Sequence, residues 1–229
     1  MKDIAFLLYP GLTLLDLVGP LEVLNSLSER NPQFKTVVVA KDLDPVKVDV
    51  PLKLTPTATY ETLQHPSIIV VPGGAAGTIK AMGDEQLIGY IKETSESAEL
   101  VCSVCTGSLL LASAGLLNDR KATTHWGCAK ILELMGAKYV SKRWVQDGKF
   151  YTSAGVSAGI DMALKIVSIL ADEATSRSVQ LGIEYDPEPP FGGINWEQVD
   201  RNQMLPYLRM LVKTQLHDKQ DLLSRLSEL

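Results

Sequence analysis

The sequence predicts an α/β fold: a doubly wound, mostly parallel sheet with helices on both faces. Three observations carry this expectation. Short, wholly apolar runs recur along the chain, as in Ile4–Leu8, Ile68–Val71 and Leu100–Val104. Strands that read apolar throughout are buried on both faces, a property of parallel sheets. Segments with helical spacing lie between them, and this alternation builds a sheet covered by helices. Parallel strands also need right-handed crossovers, which wind the chain onto both faces. With 229 residues, 45% apolar and 21% charged, the chain is large enough for a substantial core.

The elements follow in order. Ile4–Leu8 is a buried strand ended by the Pro10-Gly11 turn, and Leu12–Leu27 has helical spacing that Gly19-Pro20 interrupts. Phe34–Ala40 reads as a strand centred on Thr36-Val37-Val38-Val39. Val46–Thr55 alternates and carries Pro51, which suits an edge hairpin. Ser67–Val71 runs into Pro72-Gly73-Gly74, and Asp84–Glu96 is an amphipathic helix. Leu100–Val104 is a buried strand followed by a helix over Thr106–Ala114, closed by Gly115. Trp126–Gly136 reads as a helix, Trp144–Thr152 as a hairpin around Asp147-Gly148, and Val156–Leu170 as a long apolar helix continuing toward Leu181. Residues 1–190 form the α/β domain in this reading, and residues 191–229 are a helical extension of it.

Composition excludes several function classes. Lys and Arg total 22 against 27 Asp and Glu, a formal charge of −5. Such a chain lacks the basic footprint of a nucleic-acid binder and has no attraction to an anionic membrane surface. Its N-terminal apolar run is too short for a signal peptide, and no stretch reaches the length of a membrane span. Three cysteines cannot make a disulfide framework. Free thiols and a cytoplasmic location are therefore expected.

In doubly wound folds, sites form at the carboxyl ends of the strands. The strand Leu100–Val104 runs straight into Cys105 and then into a helix. A residue at such an elbow is held in strained geometry with its side chain presented, and the helix end favours a thiolate. The bland alternative is a buried small hydrophobe. Cys102 and Cys105 also form a Cys-x-x-Cys spacing, but Cys102 falls inside the strand and reads as core, while Cys128 reads as helix packing. Gly73 and Gly74 at a strand exit can turn backbone N–H groups toward developing negative charge, although Pro-Gly-Gly is also an ordinary turn. Asp16 is a lone acid in Leu14-Leu15-Asp16-Leu17-Val18. It is either a helix-capping residue or a buried carboxyl with a raised pKa suited to proton transfer. His125 precedes a helix and is a pocket candidate or a capping residue. His65 and His217 carry no signal. No metal-ligand spacing, Walker loop or dinucleotide fingerprint is present, so neither a metal nor a nucleotide cofactor is signalled.

Several motifs occur together: Phe6-Leu7-Leu8-Tyr9-Pro10, Leu15-Asp16-Leu17-Val18-Gly19-Pro20, Val71-Pro72-Gly73-Gly74 and Ser103-Val104-Cys105-Thr106-Gly107-Ser108. Ala122-Thr123-Thr124-His125-Trp126, Gly155-Val156-Ser157-Ala158-Gly159-Ile160-Asp161 and the Pro-rich run from Gln180 to Pro190 complete the set. On these residues the chain resembles the DJ-1/PfpI superfamily, whose fold is flavodoxin-like, and within it the isonitrile hydratases. Asp rather than Glu at position 16 and Thr106 after the cysteine are the hydratase-like features. The resemblance implies Cys105 as nucleophile and Asp16 as general acid/base on a small isonitrile. Gly73, Gly74, Thr106 and His125 would bind substrate or stabilise charge. It also implies a homodimer, with Phe191-Gly192-Gly193 and the leucines of the C-terminal tail as candidates for the interface. A core-facing helix accounts for those leucines equally well. Glyoxalase or deglycase activity, oxidative-stress sensing, and a ligand-binding relative of AraC-type regulators are the alternatives. The stretch after Tyr185 is too short for the DNA-binding module of such regulators.

Overall fold

The structure, a computed structural model, describes residues 1–229. In chain order the elements are β1 (Lys2–Leu7), α1 (Leu14–Arg30), β2 (Phe34–Ala40), β3 (Val46–Lys47), β4 (Lys53–Leu54), β5 (Ala58–Thr59) and β6 (Ile68–Val71). Then come α2 (Ala75–Ala81), α3 (Glu85–Ser97), β7 (Leu100–Val104), α4 (Gly107–Ser113), β8 (Lys121–Ala122), α5 (Ala129–Leu134), β9 (Lys138–Tyr139), β10 (Trp144–Asp147) and β11 (Phe150–Ser153). The helices α6 (Ala158–Leu170), α7 (Glu173–Gly182), α8 (Leu205–Gln215) and α9 (Gln220–Arg225) end the chain.

A seven-stranded sheet runs in the order β10-β11-β7-β6-β1-β2-β5. Every pairing in it is parallel except the edge hairpin β10-β11. All four residues of β6 and the last four of both β1 and β7 are buried, as strands covered on both faces must be. Helices α1, α6 and α7 pack together as one layer, and α2, α3, α4, α5 and α8 form the other. The doubly wound expectation holds.

Several local expectations are corrected. Gly19-Pro20 does not interrupt α1, which runs unbroken from Leu14 to Arg30. Pro20 withholds only the N–H that would bond to the Asp16 carbonyl. The pair serves a helix crossing instead. A Cβ on Gly19 would sit 3.0 Å from Ile160 of α6, and one on Gly159 would sit 3.4 Å from the Pro20 ring. The Val46–Thr55 ribbon forms its own two-stranded sheet rather than an edge of the main one. The segment after Trp126 begins as a single 3-10 turn, Trp126–Cys128, before α5. The long helix toward Leu181 is two helices, broken at Ala171. Asp172 restarts the chain as an N-cap, its side chain accepting from the Thr175 N–H at 2.7 Å. The short helix α2 after Pro72-Gly73-Gly74 has too few residues for a periodic signal and emerges only in the fold.

The C-terminal leucines face inward. Leu208, Val212, Leu216 and Leu226 are buried in the same core cluster as the strands, and α8 packs on α2. A core-facing role for that tail therefore replaces the interface one. No helix is long and apolar enough to cross a membrane.

Asp172 satisfies an otherwise orphaned donor at the start of α7. Asp172→Ala should lower the urea midpoint of unfolding. No change would show that α7 is fixed by packing alone.

Candidate active site

Topology makes the site. From β1 the chain runs outward through β2 and β5, then returns to β6 on the other side of β1. The winding reverses between β1 and β6, and such a switch point opens a crevice at the carboxyl ends of the strands. Asp16 reaches that crevice from the first turn of α1, after β1. Gly73 and Gly74 arrive from the end of β6, Cys105 and Thr106 from the end of β7, and Ala154–Val156 from the end of β11.

Cys105 has φ +56°, a left-handed conformation that a non-glycine residue adopts at a cost of about 1–3 kcal/mol. Its surroundings enforce it. The Cys105 N–H donates to the Ser153 carbonyl at 3.0 Å, and the Cys105 carbonyl accepts from Ser108 Oγ at 3.2 Å and Thr124 Oγ1 at 3.1 Å. The turn then presses onto the end of β6, where a Cβ on Gly107 would collide with the Val71 carbonyl oxygen. The strand-to-helix elbow expected from the sequence is present.

Asp16 is fully buried. Its Oδ2 accepts the Gly73 N–H at 3.0 Å, and its Oδ1 has no hydrogen-bond partner in the protein. Burial pushes its pKa up; the Gly73 N–H and the facing Cys105 thiol pull it down, and the Asp49 charge adds a smaller push, leaving it at about 7. The Cys105 thiol is also held well above its usual range, by burial first and the Asp16 charge second, against the opposing N–H groups of Val156 and Thr106. This overturns the expectation of a resting thiolate. The helix α4 is only seven residues long, and its end does not outweigh the removal of sulfur from water. At neutral pH the Cys105 thiol keeps its proton, while the Asp16 carboxyl stands near the midpoint of its titration.

The hydroxyls beside this pair form a chain whose direction is determined. Tyr9 Oη donates its one proton to the Pro72 carbonyl at 2.9 Å. Thr78 Oγ1, 2.8 Å from Tyr9 Oη, must therefore donate to it. Thr106 Oγ1, 2.9 Å from Thr78 Oγ1, must in turn donate to Thr78, and it accepts the Gly74 N–H at 2.9 Å. The N–H groups of Gly73 and Gly74 and the Thr106 hydroxyl proton are thus already engaged, while the Thr106 N–H faces the Cys105 sulfur. The Gly73 N–H serves Asp16, the Gly74 N–H serves Thr106, and the Thr106 hydroxyl proton serves Thr78. These groups build the site rather than offer free donors to it. Gly73 cannot carry a side chain, since a Cβ there would lie 2.5 Å from Thr106 N, 2.6 Å from Thr106 Oγ1 and 2.8 Å from Asp16 Oδ2. Tyr9, Thr78 and Val156 are the neighbours that sequence reasoning did not single out. Tyr9 lies in one of the sequence motifs, whereas Thr78 carries no signal at all.

His125 stands apart from this cluster. Its Nδ1 accepts the Gly127 N–H at 3.3 Å, which places the proton on Nε2, and burial lowers its pKa. It caps the 3-10 turn and lines a cavity of about 370 Å³ with Trp126, Tyr139, Val156 and Trp196. Both the capping and the pocket readings of His125 are therefore present at once. Cys102, Cys105 and Cys128 are free and buried, and burial lifts the Cys102 and Cys128 thiols to about 12. No three His, Cys, Asp or Glu side chains come together as a metal-ligand set.

A family model described as the DJ-1/PfpI family matches residues 2–169. The chain belongs to the DJ-1/PfpI family. Among curated members, it is 45% identical over 189 residues to an isonitrile hydratase from Pseudomonas putida, covering 82% of this chain and 81% of that protein. A ThiJ/PfpI family protein from Pseudomonas syringae superposes with a TM-score of 0.83 at 37% identity, covering 93% of this chain and 87% of that one. The HTH-type transcriptional regulator GbdR of Pseudomonas aeruginosa is 29% identical over 72% of this chain, which spans only 46% of the regulator.

The raised Asp16 pKa has a measurable sign. Between the usual 3.8 and about 7, native Asp16 binds a proton that the unfolded chain has released. Asp16 therefore subtracts stability as pH rises through that window, and the loss is complete above about 7. Asp16→Asn should flatten this dependence and raise stability at pH 8 by on the order of a few kcal/mol in urea unfolding. A variant as pH-sensitive as the parent would contradict the assignment.

Proposed function

We propose that this DJ-1/PfpI protein hydrates an isonitrile to an N-substituted formamide through a covalent bond to Cys105. The observation that carries the reading is the fully buried Asp16 carboxyl, one oxygen unpartnered, beside the Cys105 thiol at the strained elbow. The 45% identity to a protein named isonitrile hydratase supports the substrate class.

An isonitrile carbon accepts a nucleophile and a proton at the same atom. Asp16 takes the thiol proton as sulfur attacks that carbon, then delivers it there. The products of this step are a C–S bond, a C–H bond and a thioimidate. Water next adds to the thioimidate carbon. Asp16 carboxylate accepts a water proton and delivers it to the nitrogen. The tetrahedral species then loses its C–S bond as its hydroxyl proton passes through Asp16 to sulfur, and the formamide leaves. One carboxyl serves as base and acid in turn, and the sum is one isonitrile plus one water. The N–H groups of Thr106 and Val156, aimed at sulfur, stabilise charge on it as the C–S bond forms and breaks. Val156, whose N–H faces sulfur, also lines the cavity beside His125, the direction in which the nitrogen substituent would extend.

Because Asp16 must be ionised to take the thiol proton, kcat/KM for an alkyl or aryl isonitrile should rise with pH through about 7. Asp16→Asn should lower kcat by about 10²–10⁴-fold and abolish that limb. Cys105→Ala should yield no formamide by NMR. Undiminished turnover in Cys105→Ala, or faster turnover of methylglyoxal than of isonitriles by the parent enzyme, would overturn the reading.

The homodimer implied by the family resemblance is part of the same proposal. Phe191 is 98% exposed and Leu181 77%, apolar surface of the kind that association covers. Sedimentation velocity should return twice 25.0 kDa, and Phe191→Asp should shift the distribution toward the single chain. A parent protein that sediments as one chain would remove the dimer.

A further inference from the structure

We propose that Tyr9 and Thr78 are positioning residues that aim the Thr106 hydroxyl proton away from the Asp16–Cys105 pair. Thr106 then meets the crevice only as a hydrogen-bond acceptor, suited to hold the water that attacks the thioimidate. The part concerning water rests on the hydratase reading; the part concerning the proton does not.

Three observations converge. The donor sequence from Thr106 through Thr78 and Tyr9 to the Pro72 carbonyl has one consistent direction, because that carbonyl can only accept. Tyr9, Thr78 and Thr106 are all buried, so no bulk water competes for these protons. Thr106 Oγ1 and Asp16 Oδ2 both lie against the point where a Gly73 Cβ would stand, at 2.6 and 2.8 Å. The hydroxyl and the carboxyl therefore border the same point of the crevice. Its proton is committed to Thr78 and one lone pair to the Gly74 N–H, which leaves the other lone pair free. A water donating one proton to that lone pair and the other to Asp16 carboxylate presents its own lone pair outward. Asp16 Oδ1, buried without a partner, is an acceptor available for this water.

Removing the chain should release the Thr106 proton toward the pair. Thr78→Val deletes its acceptor. Tyr9→Phe deletes the acceptor of Thr78, which can then turn and donate to Thr106. In both cases Thr106 becomes a donor to the Asp16–Cys105 anion and stabilises it. Other titratable groups facing the pair are Tyr9 itself from the end of β1, Asp49 from the β3-β4 ribbon, and Cys128 from the 3-10 turn. His125 lines the neighbouring cavity. Thr78→Val leaves all of these in place.

The test has two arms. In the first, iodoacetamide alkylation of Cys105 is followed by peptide mass spectrometry across a pH series, with no isonitrile present. Thr78→Val and Tyr9→Phe should move the alkylation midpoint down by about half a pH unit or more, and Thr78→Ser should restore the parental profile. In the second arm, an isonitrile is supplied and the steady-state fraction of Cys105 carrying an adduct is measured. Both variants should accumulate adduct several-fold over the parent, because hydrolysis slows more than attack. Unmoved alkylation midpoints in both variants, or a Thr78→Ser shift as large as that of Thr78→Val, would overturn the proton-aiming role. Shifted midpoints with unchanged adduct fractions would overturn the water-holding role. A parent enzyme that forms neither adduct nor formamide would overturn the hydratase reading and with it the water-holding role, while the alkylation arm still decides the proton-aiming role. If Thr78→Val fails to fold, Tyr9→Phe and Thr78→Ser carry both arms.

Discussion

A carboxyl removed from water with one oxygen unpartnered is the constraint around which this molecule is organised. Burial of an ionised carboxylate without compensation is costly, and a group so placed takes up a proton instead. Asp16 sits at that balance. One hydrogen bond from Gly73 and a facing thiol recover part of the lost hydration, and burial takes the rest, leaving a group poised near neutrality. The fold supplies what this needs. The crevice at the β1/β6 switch point is closed by backbone rather than side chains. A Cβ on Gly73 would fill the centre of the site, one on Gly74 would meet the Gly11 carbonyl oxygen at 2.5 Å, and one on Gly107 would meet the Val71 carbonyl. Close backbone approach shields Asp16 from bulk water and also holds Cys105 in its strained turn.

Coupling between the two acidic groups explains why neither is found in the state expected of it alone. A cysteine at a strand-to-helix elbow invites the expectation of a thiolate, because helix N-termini favour anions. Here the helix is short, the sulfur is buried, and a carboxyl faces it. Two anions in one dry crevice would repel, so together they keep a proton. In the proposed mechanism, reactivity then comes from transfer within the pair. There, charge on sulfur need exist only as a bond to carbon is forming, when the N–H groups of Thr106 and Val156 can stabilise it.

The sheet is legible in the sequence because β6 and β7 are apolar throughout, and runs so short and so apolar fit little besides a strand covered on both faces. The elbow at Cys105 is legible because it lies at a junction of two periodicities. Sequence reasoning fails where one residue type serves opposite ends. Gly19-Pro20 reads as a break, yet both residues are small enough, and Pro20 rigid enough, to let α1 cross α6 closely. Asp172 reads as one more residue of a long helix, yet its side chain starts a new one. The roles of Gly73 and Gly74 escape it for a different reason. Sequence shows that a backbone N–H can approach a site, but only the fold shows which side chain has already claimed it. Thr78 is invisible because a single threonine in a seven-residue helix has no pattern to stand out from.

The orientation of a hydroxyl proton is ordinarily a matter of choice among several acceptors. In this crevice it is decided some distance away, at the Pro72 carbonyl, because each buried hydroxyl has one proton and the last acceptor in the row cannot donate. That carbonyl belongs to the same Pro72-Gly73-Gly74 turn whose two N–H groups bond Asp16 and Thr106. One turn therefore sets both the protonation of the carboxyl and the polarity of its hydroxyl neighbour. A residue such as valine at position 106 would keep the backbone N–H to sulfur and the packing volume. It would leave the Gly74 N–H without its acceptor, a buried donor unsatisfied at the wall of the site, and Thr78 with its bond to Tyr9 alone. Threonine at this position is accordingly as much a requirement of the turn as of the chemistry, and the two demands coincide because the turn and the site are made of the same atoms.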